Sequence, residues 1–411
     1  MEPNPSEWVV TQVIYNGQLF YEVEDLIQRY TEGSIRKIMP NIDLIDAKFS
    51  SYARRGHESF NTPLRGPKLM EPEGHRYTVD DQFVTYFGWS FNFNMKTSTG
   101  LQMFDIYFQN ERVAYEISLQ DITVFYTGDT PETSWMALYG VSWLLGASSY
   151  ELFPGVDCPS TATFIDAHHF VNTGRPLRYK NCICIFEQNT GVPLRRHYSR
   201  DSRGQFDNYG GIVSNHLVVR TIVSLWSSDY IIDYLLNLDG SIQLKTYVTG
   251  YVQASYDLAG QRRYGNRLYE NVRGNLHQNL FHWKIDLDIE QTSNRYQTLE
   301  LSTESITDFW IQDKNVTKTQ LMVEPVLQVE ECFTTPTSNS ELPRKHIIYN
   351  HKADNRFEAH RGYEVVNNAE TTFLLDSAPI ASAARWAKYP VIIFFIVIFI
   401  RIFFYHLLYI I

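Results

Sequence analysis

The sequence has few cysteines and few basic residues, and it begins without a visible secretion signal. Four cysteines in 411 residues are too few for a disulfide-built scaffold. Because there are 36 Lys and Arg against 46 Asp and Glu, the formal net charge is −10, whereas phosphate binding needs clustered positive charge. This balance argues against a nucleic-acid partner. The start, MEPNPSEW, has neither a basic n-region nor an apolar run, so no signal peptide is visible.

Apolar and aromatic residues are plentiful. Hydrophobic residues make up 44% of the chain, which is enough to build a core. Aromatic residues make up 15%, with 27 Tyr and 25 Phe, and such side chains suit pleated, half-buried strand surfaces. The composition therefore predicts a folded, mainly β protein.

The pattern divides the chain into four segments. Residues 1–45 combine a strand signal that ends at an Asn16-Gly17 turn with a helix-like stretch, and they predict a small α+β piece. Residues 46–75 are polar and without period, which indicates a linker. Residues 76–390 alternate apolar and polar positions in many short strands, as in VAYEISL and LFHWKIDLDI, and predict a large antiparallel β-sandwich.

Residues 391–411 form an apolar tail, VIIFFIVIFIRIFFYHLLYII, whose length matches a bilayer. A membrane anchor is one interpretation. The near-exclusive use of Ile, Phe, Val, Leu and Tyr is also typical of translated non-coding sequence, so an artefact of the gene model is a second. Small residues at Ser377-Ala378 suggest a lipid-anchor signal as a third. Whether this tail contacts a membrane depends on which of these three interpretations holds.

Three ordered stretches carry a family resemblance: YELFPGVDCPSTATFIDA from Tyr150, CIFEQNTGVPLRRH from Cys184 and GNLHQNLFHWKIDLDI from Gly274. They resemble copper amine oxidases, nearest to the animal diamine oxidases. The likeness runs from Trp8 to Pro390, which predicts a chain truncated at its C-terminus. The resemblance implies an extracellular or membrane-associated homodimer that oxidises primary amines to aldehydes with copper and a tyrosine-derived quinone.

The copper ligands of the resembled family include a His-x-His pair on a strand. His277 matches the first ligand, but Asn279 stands at the second position, and an amide is a poor Cu(II) ligand. The third family histidine would lie beyond the likeness. His282 is five positions further along the strand and faces the other way, and the adjacent His168 and His169 point to opposite faces. We expect no stable copper site.

The quinone precursor of the family is the first Tyr of an Asn-Tyr-Asp/Glu-Tyr motif. Ser228 occupies that position here, and a serine has no ring to oxidise. Tyr230 matches the last Tyr of the motif. Because it lies two residues along a strand, roughly 7 Å away, we interpret it as an ordinary packed tyrosine.

The catalytic base of the family is an aspartate, and Gly140 stands at its position. Glycine cannot accept a proton. The nearby carboxylates, Asp129 and Glu132, lie in a turn-like stretch and are interpreted as solvated loop residues.

The resemblance also implies a disulfide and a calcium site. Cys158 and Cys184 match the disulfide pair of the family, whereas Cys182 and Cys332 are predicted to be buried thiols. The Asp286-Leu287-Asp288 stretch resembles the start of a family calcium site, since two carboxylates and a carbonyl are hard-oxygen ligands. A polar strand edge is the alternative interpretation. One glycosylation sequon begins at Asn315.

Four hypotheses about function therefore remain. The first is a catalytically inactive member of the family, holding neither copper nor quinone. The second is an active, diamine-type primary-amine oxidase. The third is a non-catalytic sandwich that binds a partner or pairs with an active family member. The fourth is that no protein is made in this form.

Overall fold

The computed structural model describes residues 9–16, 18–36, 66–128, 138–170, 174–201, 206–257, 259–269, 272–307, 317–327, 344–367 and 397–402. The chain forms two compact units. Unit 1 comprises Met1–Pro67, Val124–Leu138 and Tyr251–Asn279, and unit 2 comprises Lys68–Thr123, Tyr139–Gly250 and Leu280–Ile411.

The described residues contain one α-helix and 22 strands, numbered in chain order. The helix is α1, Val23–Thr31. The strands are β1 Val13–Tyr15, β2 Gln18–Phe20, β3 Tyr77–Asp80, β4 Phe83–Tyr86, β5 Trp89–Lys96, β6 Gly100–Phe108, β7 Glu111–Tyr126, β8 Leu138–Tyr139, β9 Thr163–Phe170, β10 Pro176–Asp201, β11 Phe206–Leu225, β12 Ser228–Asn237, β13 Ile242–Gly250, β14 Ala254–Tyr256, β15 Gly265–Tyr269, β16 Val272–Asn275, β17 His277–Leu287, β18 Asn294–Thr307, β19 Thr317–Leu327, β20 Arg344–Asp354, β21 His360–Asn367 and β22 Val397–Ile402.

Unit 1 contains the predicted hairpin and helix. β1 and β2 pair antiparallel with Tyr15 opposite Gln18, and Asn16 has a φ of 51°, as a tight primed turn requires. α1 follows, with Arg29 Nε donating to Asp25 Oδ1 at 2.7 Å one turn earlier. A three-stranded sheet in the order β14-β16-β15 completes the unit.

Unit 2 holds the core, which lies between two antiparallel sheets. The larger sheet has the order β19-β18-β20-β21-β22-β13-β12-β11-β10-β9, and the smaller has the order β17-β7-β6-β5-β4-β3 with β8 beside β7. The sheets pack face to face, since the Tyr234 and Trp283 rings lie 5.5 Å apart and the Tyr234 hydroxyl donates to the carbonyl of Leu101 at 2.8 Å. The predicted fold, a mainly β antiparallel sandwich preceded by a small α+β piece, is confirmed.

The hairpin of β10 and β11 extends beyond the sheet. β11 pairs with β12 only from His216 onwards, whereas its residues 206–215 pair with β10 alone. Exposed apolar side chains stand on this extension, at Val192, Tyr198, Tyr209, Ile212 and Val213. We call residues 189–201 and 206–215 the arm.

Part of the apolar tail lies in the larger sheet. β22 pairs antiparallel with both neighbours, so that Ile400 lies opposite Ile242 on β13 and opposite Val365 on β21. Residues 391–396 and 403–411 lie outside the described part. Among the described residues, no helix is long and apolar enough to cross a membrane. The segment boundaries at 45, 75 and 390 stay predictions.

Candidate functional site

The position of the predicted base is a buried glycine at the start of a turn in unit 2. Gly140 begins a 3-10 turn that ends at Trp143. A Cβ built on Gly140 would lie 2.5 Å from Leu145 Cδ2 and 3.1 Å from the carbonyl oxygen of Ile122. Any side chain there would therefore require Leu145 to move. The position offers no proton acceptor from a side chain, and Asp129 and Glu132 lie outside the described residues.

The predicted position of the quinone precursor lies at the start of β12, directly after the Trp226-Ser227 turn. The Ser228 side chain is buried, with the residue only 6% exposed. Opposite it stands Gly250, whose φ is 108° and whose Cβ, if it had one, would overlap the Ser227 carbonyl. Gly250 thus lies too close to the backbone of Ser227 and Ser228 for a side chain to fit there.

Tyr230 is fully buried and belongs to the core. Its ring meets that of Phe281 edge-on, with the ring centroids 5.8 Å apart. Ring packing of this kind is typical of structural tyrosines, as the sequence predicted.

The two residues aligned with the copper pair lie at the start of β17, in unit 1. His277 is exposed, and its ring lies 5.5 Å from the Tyr126 ring. Asn279 is half-buried, and period-two alternation puts it on the same face of the strand. One imidazole and one amide do not form the nitrogen set that Cu(II) prefers. In the described ranges, no group of three or more His, Cys, Asp or Glu could hold a metal ion.

The other histidines do not add to this pair. On β9, His168 is exposed and His169 is completely buried, so they point to opposite faces as predicted. His169 Nδ1 lies 3.2 Å from Thr97 Oγ1, and burial lowers the pKa of this imidazole. Burial also lowers the pKa of His282, which is half-buried on β17.

Each residue of the Asp286-Leu287-Asp288 stretch already makes an ion pair or a hydrogen bond with another residue of the chain. Asp288 Oδ2 lies 3.6 Å from Arg112 Nε, and Asp286 Oδ2 lies 3.7 Å from Lys284 Nζ. The Leu287 carbonyl accepts a hydrogen bond from Asn294 Nδ2 at 2.9 Å. Calcium binding at this position stays a prediction, as does glycosylation at Asn315, which lies outside the described residues.

The predicted disulfide between Cys158 and Cys184 is present. It lies in an apolar cluster with Leu152 and Phe186. Cys182 is a buried free thiol, and burial raises its pKa to about 11, so it is inert at neutral pH. Cys332 lies outside the described residues.

A buried ion pair beside the disulfide was not predicted. Arg220 on β11 and Asp233 on β12 are cross-strand partners, and both carboxylate oxygens of Asp233 accept from the guanidinium at 2.7 Å. A signal existed in the sequence, because each is a single charge within an apolar run, LVVRTIV and YIIDYLL. Only paired charges are tolerated at such depth.

Comparisons with known proteins agree on one family. The family model for the copper amine oxidase enzyme domain matches residues 78–394. The copper-containing diamine oxidase of Mus musculus is 34% identical over 397 residues, which cover 93% of this chain and 52% of the relative. The Homo sapiens copper-containing diamine oxidase is also 34% identical, over 399 residues and the same shares of both chains.

Solved structures share the fold. The Aspergillus nidulans amine oxidase superposes with a TM-score of 0.81 at 25% identity, covering 94% of this chain and 51% of that one. The Pichia pastoris lysyl oxidase superposes with a TM-score of 0.81 at 22% identity, covering 93% and 52%. The chain thus spans about half the length of the relatives it matches. Because the enzyme-domain model covers most of the sequence and the relatives align along nearly all of it, the chain belongs to the copper amine oxidase family.

Proposed function

We propose that this chain is a catalytically inactive member of the copper amine oxidase family. The observation that carries the proposal is Ser228, a buried serine at the position of the quinone precursor. Its hydroxymethyl group has no ring to oxidise, so the family's electron acceptor cannot form there. Tyr230 does not replace it, because its ring is packed in the core against Phe281.

Two further changes support the same conclusion. Gly140 provides no base, and the loss of a general base alone typically costs about 10²–10⁴ in rate. Asn279 leaves His277 as the one imidazole of the aligned pair. The residues present therefore do not fit copper or a quinone, and we derive no catalytic step through either group.

Three measurements on purified protein test the proposal. We expect less than stoichiometric copper by elemental analysis, a negative redox-cycling stain for quinone, and no peroxide release from 1,4-diaminobutane or benzylamine. An active family member serves as the positive control, and His277→Ala as a matched variant that should leave all three results unchanged. One copper per chain together with a positive stain would refute the proposal and favour an active primary-amine oxidase.

A second candidate function is pairing with another family chain. It is favoured by the arm, which carries exposed apolar side chains including Tyr209 and Val213, 63% exposed each. Exposed apolar patches of this kind mark interaction surfaces. Sedimentation of the parent and of Tyr209→Ser/Val213→Ser tests it: a dimer that the double substitution dissociates supports pairing, and a monomeric parent contradicts self-pairing.

The disulfide favours an oxidising compartment, so we propose an extracellular or membrane-associated location. Expression of the chain in secreting animal cells, followed by blotting of the medium, membranes and cytosol, addresses it. Recovery in the cytosol alone would contradict it.

A further inference from the structure

The loop of residues 152–162 is attached to the larger sheet at two adjacent positions. Cys158 forms the disulfide with Cys184 on β10. The carbonyl oxygen of Asp157 accepts a hydrogen bond from Arg220 Nη1 on β11 at 2.7 Å. Cys184 and Arg220 lie directly opposite each other in the β10–β11 register. Both attachments therefore join the same part of the loop to the same place on the sheet.

Arg220 is itself held firmly. Its Nε and Nη2 donate to the two carboxylate oxygens of Asp233, and its guanidinium lies 5.3 Å from the centre of the Phe186 ring. The Asp233 side chain is only 3% exposed. A bidentate pair of this kind is rigid and charge-assisted, and Nη1 remains directed at the loop. The guanidinium therefore acts as a fixed donor for Asp157.

The loop is also tied at both ends. The Leu152 amide donates to the carbonyl of Asn181 at 2.9 Å, and His75 Nε2 lies 2.8 Å from the carbonyl of Thr161. Within the loop, the amide of Phe153 donates to Asp157 Oδ2 at 2.7 Å. These contacts do not depend on the oxidation state of the cysteines.

We infer that Arg220 is a second fastener of this loop, independent of the disulfide, and that the loop keeps its place on the sheet when Cys158 and Cys184 are thiols. A disulfide acts largely on the unfolded chain, whereas the contacts of Arg220 exist only in the folded one. The fold then tolerates a reducing compartment, and this conclusion does not depend on the proposed loss of catalysis.

Proteolysis of the loop tests the inference. Val156 is 63% exposed, and elastase cleaves after such a small apolar residue when the loop opens. We compare the parent with Cys158→Ala/Cys184→Ala, with Arg220→Lys and with the combined variant, mapping cuts by mass spectrometry. Lysine keeps the charge beside Asp233 but cannot make the fork that also reaches Asp157. Arg178→Lys is the control, because Arg178 pairs with Asp166 on β9.

The disulfide and the Arg220 hydrogen bond should each hold the loop in place when the other is removed. We expect loop cleavage to stay within about threefold of the parent in the cysteine variant and in Arg220→Lys, and to rise more than about tenfold in the combined variant. The inference is overturned if the cysteine variant alone opens the loop as far as the combined variant. If the combined variant does not fold, hydrogen exchange at the Leu152 amide is measured in the cysteine variant. Protection of this amide as in the parent supports the inference, and loss of that protection overturns it.

Discussion

Tyr230 and Phe281 link the two sheets of unit 2, with their rings edge-on and their centroids 5.8 Å apart. Tyr230 lies on β12 of the larger sheet, two residues after Ser228, the predicted position of the quinone precursor, and Phe281 lies on β17 of the smaller sheet. The last tyrosine of the family motif thus survives here as a core residue.

Truncating Tyr230 should destabilise the fold severely. We expect Tyr230→Ala to lower the free energy of unfolding by about 3–5 kcal/mol, because a large cavity opens between the sheets. Tyr230→Phe keeps the ring and should cost only about 1 kcal/mol. Urea denaturation followed by tryptophan fluorescence measures both. Tyr21→Ala, at an exposed site outside the arm, is the control. If Tyr230→Ala lowered the free energy of unfolding no more than this control does, the contact between the sheets would be unimportant.

Restoring the aromatic residue at 228 should not restore the cofactor. Ser228→Tyr places a large ring at a buried position, so we expect a loss of about 1–3 kcal/mol in stability from overpacking. The redox-cycling stain should stay negative after incubation with copper and air, because Asn279 remains. Ser228→Tyr/Asn279→His is the companion variant. A positive stain in the single variant would show that copper binds without the second imidazole.

Stability should fall as the pH drops through the titration range of His216. Burial, with a smaller contribution from the positive charge of Lys245, lowers the pKa of this imidazole to about 4. Since the unfolded chain binds the proton more readily, the contribution is complete above the unfolded pKa near 6.5 and is lost as the pH falls towards 4. The free energy of unfolding should therefore fall by about 3 kcal/mol between these two pH values.

Denaturation midpoints between pH 4 and 8 measure this contribution. His216→Gln should flatten the profile over that range, and His168→Gln, at an exposed position on β9, should leave the profile unchanged. A profile that is the same in the parent and in His216→Gln would contradict the assignment.

A proline in the tail should destabilise the larger sheet. Ile400 pairs on one side with Ile242 and on the other with Val365, so β22 is a central strand there. Ile400→Pro removes a backbone donor from the ladder and should cost about 3 kcal/mol. Thermal unfolding of the parent and the variant measures the loss, with Ile400→Val as the control. An unchanged melting temperature would mean that the tail does not act as a strand.

The sequence by itself determined the family and the strand-rich character, and it supplies the prediction that the family's catalytic groups are absent. Those follow from local information: a period of two places VAYEISL on a strand, and the identities of Gly140, Ser228 and Asn279 decide what can ionise, oxidise or bind a metal. The disulfide partners also came from a local motif match.

Tertiary structure alone decided what surrounds these positions. The burial of Ser228, the packing of Tyr230 on Phe281 and the pairing of Arg220 with Asp233 depend on strand register and on sheets built from segments distant in sequence. Likewise, β22 lies between β13 and β21 in the larger sheet, and this pairing joins segments distant in sequence. Apolar composition predicts burial but not the surface that provides it, since hydrophobic association has no direction, whereas backbone pairing and close packing select one arrangement.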